Sequence, residues 1–229
     1  HENIAKNYFS TYYTENYFLR YLLRKNSEVI RLQDIYGKMF REKMFNDNPA
    51  KENTFDTEIL NLRKIGIVDK SDITYFEFPN LNTFLQLSSS VLLNSKDYYD
   101  FTEIICEDNN FRKINFISKE INETNQKIRG YFLINKEDYS IKYFSLDFYD
   151  NVDSIPYQEK KGHKFRTVVY KISAEYMKNS NINKYFLSNA KLEAKVEILG
   201  DGKVHNSIYD FTANLFVTNS FTNEKVKSN

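Results

Sequence analysis

The chain of 229 residues is poor in the residues that break or staple a fold: 6 Gly, 3 Pro, a single Cys and no Trp. With so few Gly and Pro, and no Ser/Gly-rich or Pro-rich run, nothing reads as a linker, and residues 1–229 are expected to form one domain. One cysteine, Cys106, excludes an internal disulfide. No apolar run of about 18 residues occurs, so no membrane-spanning helix is expected. An excess of one charge is missing too. Lys and Arg number 32 and Asp and Glu 31, interspersed along the chain. A nucleic-acid binder usually carries a basic stripe, so no nucleic-acid partner is expected. His1-Glu2-Asn3 shows no secretory leader, but His1 is not a natural start residue. The chain is therefore expected to be trimmed from a longer protein, with any signal or upstream domain lying ahead of it.

What the chain has in abundance is Phe and Tyr, 19 and 18 of them. Such side chains suit a pleated, half-buried surface. Tyr17, Leu19, Tyr21 and Leu23 alternate with other residues, and Lys25-Asn26-Ser27 breaks the run before Val29 to Tyr36, the pattern of a hairpin. From Tyr98 onward the chain reads as strand. The segments are Tyr98–Glu107, Phe111–Lys119, Ile128–Asn135 and Tyr139–Tyr149, followed by long runs through Val168–Tyr176, Ala190–Ile198 and Tyr209–Val217. Period-2 alternation implies one buried and one wet face, as in an antiparallel sheet.

Helices are expected in three places. Ile4, Ala5, Tyr8, Phe9 and Tyr12 fall at helical spacing, Ile59 and Leu62 mark a helix over 57–65, and Leu81, Phe84, Leu85, Ser88, Val91 and Leu92 form an apolar stripe after Pro79. Residues 37–57 read as an irregular loop. The expected class is α+β: a strongly curved antiparallel sheet, a half-barrel, with helices packed on its concave face.

Catalytic signals are weak, and no enzyme is expected. His1, His163 and His205 lie far apart in sequence and from Cys106, which reads as a small core residue beside Ile104, so neither a metal site nor a nucleophile pair is indicated. Gly200-Asp201-Gly202 lies between two alternating runs, as a hairpin turn would, and no phosphate loop is present. Glu193 and Glu197 alternate with Lys191 and Lys195, which suits cross-strand charge pairing. No cofactor is expected.

Two stretches resemble known domains. Asn3-Ile4-Ala5-Lys6-Asn7-Tyr8, then Tyr17-Phe18-Leu19-Arg20 and a return ending at Asp34-Ile35-Tyr36, resemble the opening of a domain that follows the carboxypeptidase-like regulatory module in exported Bacteroidetes proteins. Ile114-Asn115-Phe116-Ile117, Gly130-Tyr131-Phe132-Leu133-Ile134-Asn135 and Tyr139-Ser140-Ile141 look like the hairpin of the LolA and LolB-like lipoprotein carriers. The resemblance implies a half-barrel exported to the periplasm or cell envelope, with an apolar concave face. Its expected partner is a lipid or a lipoprotein acyl chain, held by Phe144, Leu146, Phe148, Val168, Tyr170, Ile172, Tyr209 and Phe211. The alternative is a filled scaffold that docks an envelope protein.

Overall fold

The computed structural model describes residues 11–43, 55–66, 96–119, 127–149, 155–160, 163–179, 184–200 and 206–219. They form one antiparallel sheet of eleven strands. In chain order these are β1 (Thr11–Lys25), β2 (Glu28–Lys43), β3 (Phe55–Ile65), β4 (Tyr99–Ile104), β5 (Phe111–Ser118), β6 (Lys127–Asn135), β7 (Ile141–Tyr149), β8 (Gln158–Lys160), β9 (His163–Asn179), β10 (Lys184–Leu199) and β11 (Ser207–Asn219). Across the sheet the order is β3-β2-β1-β11-β10-β9-β7-β6-β5-β4, with β8 paired to the start of β9. The path is a simple meander whose first and last strands are zipped together. Its two edges, β3 and β4, are consecutive in the chain.

The α+β expectation is overturned. Among the described residues the only helical turn is a 3-10 turn at Lys96–Tyr98, and no helix packs on the sheet. The helices expected near residue 4 and over 79–93 fall outside the described residues, apart from Tyr12, which lies in β1. The segment 57–65 is strand β3, and a β-bulge explains the misreading. Tyr36 pairs with Asn61 and Gly37 with Ile59, so Leu60 is an extra residue on β3. A bulge sets two residues against one, which brings Ile59 and Leu62 to one face at a spacing of three, the spacing of a helix. The loop expected over 37–57 is likewise shorter, because β2 runs to Lys43 and β3 starts at Phe55.

The predicted hairpins take their places. Asn26 and Ser27 both have positive φ, 48° and 73°, the backbone of the two-residue turn that matches strand twist. Asn26 also ties this turn to β11: its N–H donates to Ile208 C=O at 2.8 Å, and its Oδ1 accepts from Ile208 N–H at 2.8 Å. Between β4 and β5, Asp108 Oδ1 accepts from Asn110 N–H, and between β6 and β7 Tyr139 N–H closes on Asn135 C=O. The Gly200-Asp201-Gly202 turn reaches beyond the described residues.

The eleven strands separate chemistry by face. On one face the rows read Leu19-Leu215-Ala190-Ala174-Phe144-Phe132-Ile114 and Tyr21-Ala213-Leu192-Ile172-Leu146-Gly130-Phe116-Phe101. None of these side chains is charged, although the first row continues from Ile114 to Glu103 at the β4 edge. Small and large residues alternate so that bulky neighbours close over Ala174, Ala190 and Ala213, all buried. The opposite, wet face pairs charges across strands: Arg20 with Asp34 at 2.8 Å, Arg129 with Asp147 at 3.0 Å, Arg166 with Glu197 at 2.7 Å.

Two glycines let aromatic rings lie flat on the sheet. A Cβ at Gly130 would stand 2.0 Å from Ser145 O and 2.4 Å from Phe116 Cζ. One at Gly37 would stand 2.5 Å from Glu58 O and 2.7 Å from the Tyr17 ring. With Gly130 beneath it, Phe116 reaches over β6 to Phe144, ring centroids 6.2 Å apart, and also meets Phe132 at 5.2 Å. Gly130→Ala is therefore predicted to destabilise the fold by about 1–3 kcal/mol, the cost of overpacking. Urea unfolding of the variant checks this, and an unchanged midpoint would count against the ring-over-glycine packing.

Candidate ligand-binding face

Seven of the eight residues expected to line a ligand site lie on one face of the sheet, and Val168, at a bulge, is not part of the core cluster of that face. Phe144, Leu146 and Phe148 come from β7, Val168, Tyr170 and Ile172 from β9, and Tyr209 and Phe211 from β11. Leu146 faces Ile172 across the β7–β9 ladder. Tyr170 pairs with Ala194 of β10, and Ala194 with Phe211 of β11. Val168 is a special case. Lys195 pairs with Val169 and Val196 with Thr167, so Val168 is the extra residue of a bulge, and its side chain is buried.

The eight fall into two groups by access. Phe144, Val168, Ile172, Tyr209 and Phe211 are buried, all but Val168 within the core cluster. Leu146, Phe148 and Tyr170 are half-buried, and the Phe148 and Tyr170 rings stack with centroids 4.9 Å apart and planes at 26°. Ile128 opposes Phe148 on β6, and Phe165 lies partly buried against the same core. Among these residues the accessible part is thus an apolar strip across the ends of β6, β7 and β9, while Ile59 and Leu62 of β3 and Phe101 of β4 are exposed elsewhere on the same face.

Sequence reasoning missed the strands that complete the face. Tyr17, Leu19, Tyr21 and Leu23 of β1 and Phe116 and Phe132 of β5 and β6 belong to the same core cluster. Their alternation was visible, but their neighbours were not. The strip joins β1 only through the β1–β11 ladder, where Leu23 opposes Phe211 and Tyr21 opposes Ala213. Tyr21 also stacks on Phe211, centroids 5.9 Å apart.

The polar groups near this face are tuned by simple causes. Burial pushes the hydroxyls of Tyr17, Tyr99 and Tyr170 above the usual tyrosine range, and burial followed by the neighbouring Tyr17 pushes Tyr21 far above it. On the wet face, the Arg20 hydrogen bond lowers Asp34, and a bond from Asn189 followed by Lys142 lowers Glu175. Asp138, beside the β6–β7 turn, is lowered by Ser140, with help from Tyr185 and Lys178. Each of these carboxylates is thus stabilised in its ionised form by neighbouring hydrogen-bond donors and cations. Cys106 lies past the end of β4 and is partly exposed, so it is no core residue: the strand stops at Ile104, before the alternation could bury it. Among the described residues no cluster of three or more His, Cys, Asp or Glu could hold a metal. No helix among them is long and apolar enough to cross a membrane, which leaves strand-borne membrane insertion open.

No family model matches the chain, and no curated protein matches its sequence.

The buried tyrosines predict an alkaline limit to stability. A hydroxyl raised in the folded state stays protonated while the unfolded chain ionises near pH 10. The unfolded state then binds fewer protons, so stability is full below that pH and falls as pH rises through it. Melting temperature is predicted to decline above about pH 10, and Tyr21→Phe to blunt the decline. An equal decline in that variant would contradict the assignment.

Proposed function

We propose that this chain is a non-catalytic binding module of the periplasm or cell envelope that receives a lipid or lipoprotein acyl chain on its apolar sheet face. The observation that supports it is the half-buried strip of Leu146, Phe148, Tyr170 and Ile128, stacked and uncharged, at the end of a face that is apolar across the sheet. An acyl chain laid there gains burial of roughly 0.8 kcal/mol per methylene. A second reading, a scaffold with a filled interior, is favoured by the full burial of Phe144, Val168, Ile172, Tyr209 and Phe211.

One pair of variants separates the two. A fluorescent fatty-acid analogue is predicted to bind the protein saturably, and Phe148→Ala to weaken that binding with a modest loss of stability. Phe144→Ala, in the closed part of the core, is predicted to cost about 3–5 kcal/mol. No saturable binding, together with an equally large stability loss for Phe148→Ala, would reject the lipid module and leave the scaffold.

A further inference from the structure

Among the described residues the sheet has two edges, and they are not alike. An edge strand offers unpaired N–H and C=O groups, and proteins blunt it with bulges, Lys or Pro. β3 carries such devices: Leu60 bulges it against β2, and the exposed Arg63 and Lys64 sit side by side. β4 has no bulge, since its ladder to β5 shows no register shift, and no Lys, Arg or Pro, so the only charges on Tyr99–Ile104 are the carboxylates of Asp100 and Glu103. Every side chain from Asp100 to Ile104 is exposed, Phe101 and Ile104 among them, and Ile105 beyond them is 97% exposed.

One hydrogen bond fixes which backbone groups are open. Lys119 N–H donates to Tyr98 C=O at 2.9 Å, which makes these two a hydrogen-bonded pair. Hydrogen-bonded and non-hydrogen-bonded pairs alternate in an antiparallel ladder. Asp100, Thr102 and Ile104 therefore turn their backbone groups to β5, and Tyr99, Phe101 and Glu103 turn theirs outward.

Charge then says what fits. Between residues 97 and 108 stand Asp97, Asp100, Glu103, Glu107 and Asp108, with no Lys or Arg. In β5 the residues opposite Asp100 and Glu103 are Ile117 and Ile114. The cations that reach them, Lys119 and Arg112, stand off at 3.7 Å on exposed side chains, a contact of little strength.

We propose that β4 is a docking edge for an extended segment of a partner protein, added antiparallel with Lys or Arg opposite Asp100 and Glu103 and apolar residues opposite Phe101 and Ile104. Read along the added strand, the order is apolar, basic, any residue, apolar, basic. Main-chain bonds to Tyr99, Phe101 and Glu103 supply affinity, and the two carboxylates supply selection. A second copy of this chain does not fit, because pairing β4 with itself gathers all four carboxylates on one seam. This edge lies apart from the Phe148 strip, so the proposal stands whether or not that strip holds lipid.

The probe is a labelled peptide repeating valine-lysine-threonine-valine-lysine, read by fluorescence anisotropy on the whole chain. Saturable binding is expected, weakening with salt. Glu103→Lys or Asp100→Lys is expected to weaken it about tenfold or more. Glu103→Pro, which removes an outward N–H that β5 does not use, is expected to abolish it. A peptide with glutamate in place of lysine is expected not to bind. Failure of the lysine peptide to bind, equal binding of the glutamate peptide, or unchanged affinity in both charge reversals would overturn the proposal. So would a concentration-dependent dimer that Glu103→Pro abolishes. Melting curves check each variant. Should the proline variant unfold, the two reversals, at exposed positions, still decide.

Discussion

The structure depends on one ladder, the antiparallel pairing of β1 with β11. Leu19 sits opposite Leu215, Tyr21 opposite Ala213 and Leu23 opposite Phe211. It joins residues almost the whole chain apart, so loop closure must be overcome before it forms. In return it unites two meanders, β1–β3 and β4–β11, that share no other ladder among the described residues. Side-chain period 2 makes this register strict: a slip by one residue would turn Leu19 and Leu23 to the wet face and Arg20 to the apolar one. The Asn26 clamp on Ile208 holds the far end of the same ladder.

From that register follows the separation of faces. With β1 and β11 in the middle, apolar residues of successive strands line up in uninterrupted rows, while Arg20–Asp34, Arg129–Asp147 and Arg166–Glu197 meet on the other side. Where two large side chains would collide, the sequence supplies Ala174, Ala190 and Ala213, or a glycine beneath a ring. The aromatic cluster around Phe116 extends this packing from Phe144 to Tyr99, whose ring meets Phe116 edge-on at 5.7 Å. Among the described residues the apolar face is exposed at β3, through Ile59 and Leu62, and it thins out in two further places. One is the Phe148–Tyr170 strip, and the other is the β4 edge.

Much of this was legible in the sequence, and the remainder was hidden for identifiable reasons. Alternation in Tyr17–Leu23, Val168–Tyr176, Ala190–Ile198 and Tyr209–Val217 marks β1, β9, β10 and β11, and Lys25-Asn26-Ser27 marks the first turn. Seven of the eight candidate ligand residues share a face, because each was chosen on one phase of an alternating strand, and Val168 falls out at the β9 bulge. What alternation cannot carry is neighbourhood: nothing local in Tyr17 says that it covers Gly37, or in β1 that it pairs with a strand near the other end. Bulges mislead in a regular way. Leu60 makes β3 mimic a helix, and Val168 is buried although it is the extra residue of β9. Cys106 was misplaced because a strand end leaves no mark in the alternation before it.

The central claim is the β1–β11 register, and cross-linking tests it most directly. In a background with Cys106→Ser, the pair Arg20→Cys with Asn214→Cys places two thiols opposite each other on the wet face. The pair Arg20→Cys with Leu215→Cys places them on opposite faces. The account predicts rapid disulfide formation in the first protein under mild oxidation, with folding retained, and none in the second. Cross-linking in the second pair and not the first would contradict the register, and with it the continuous sheet.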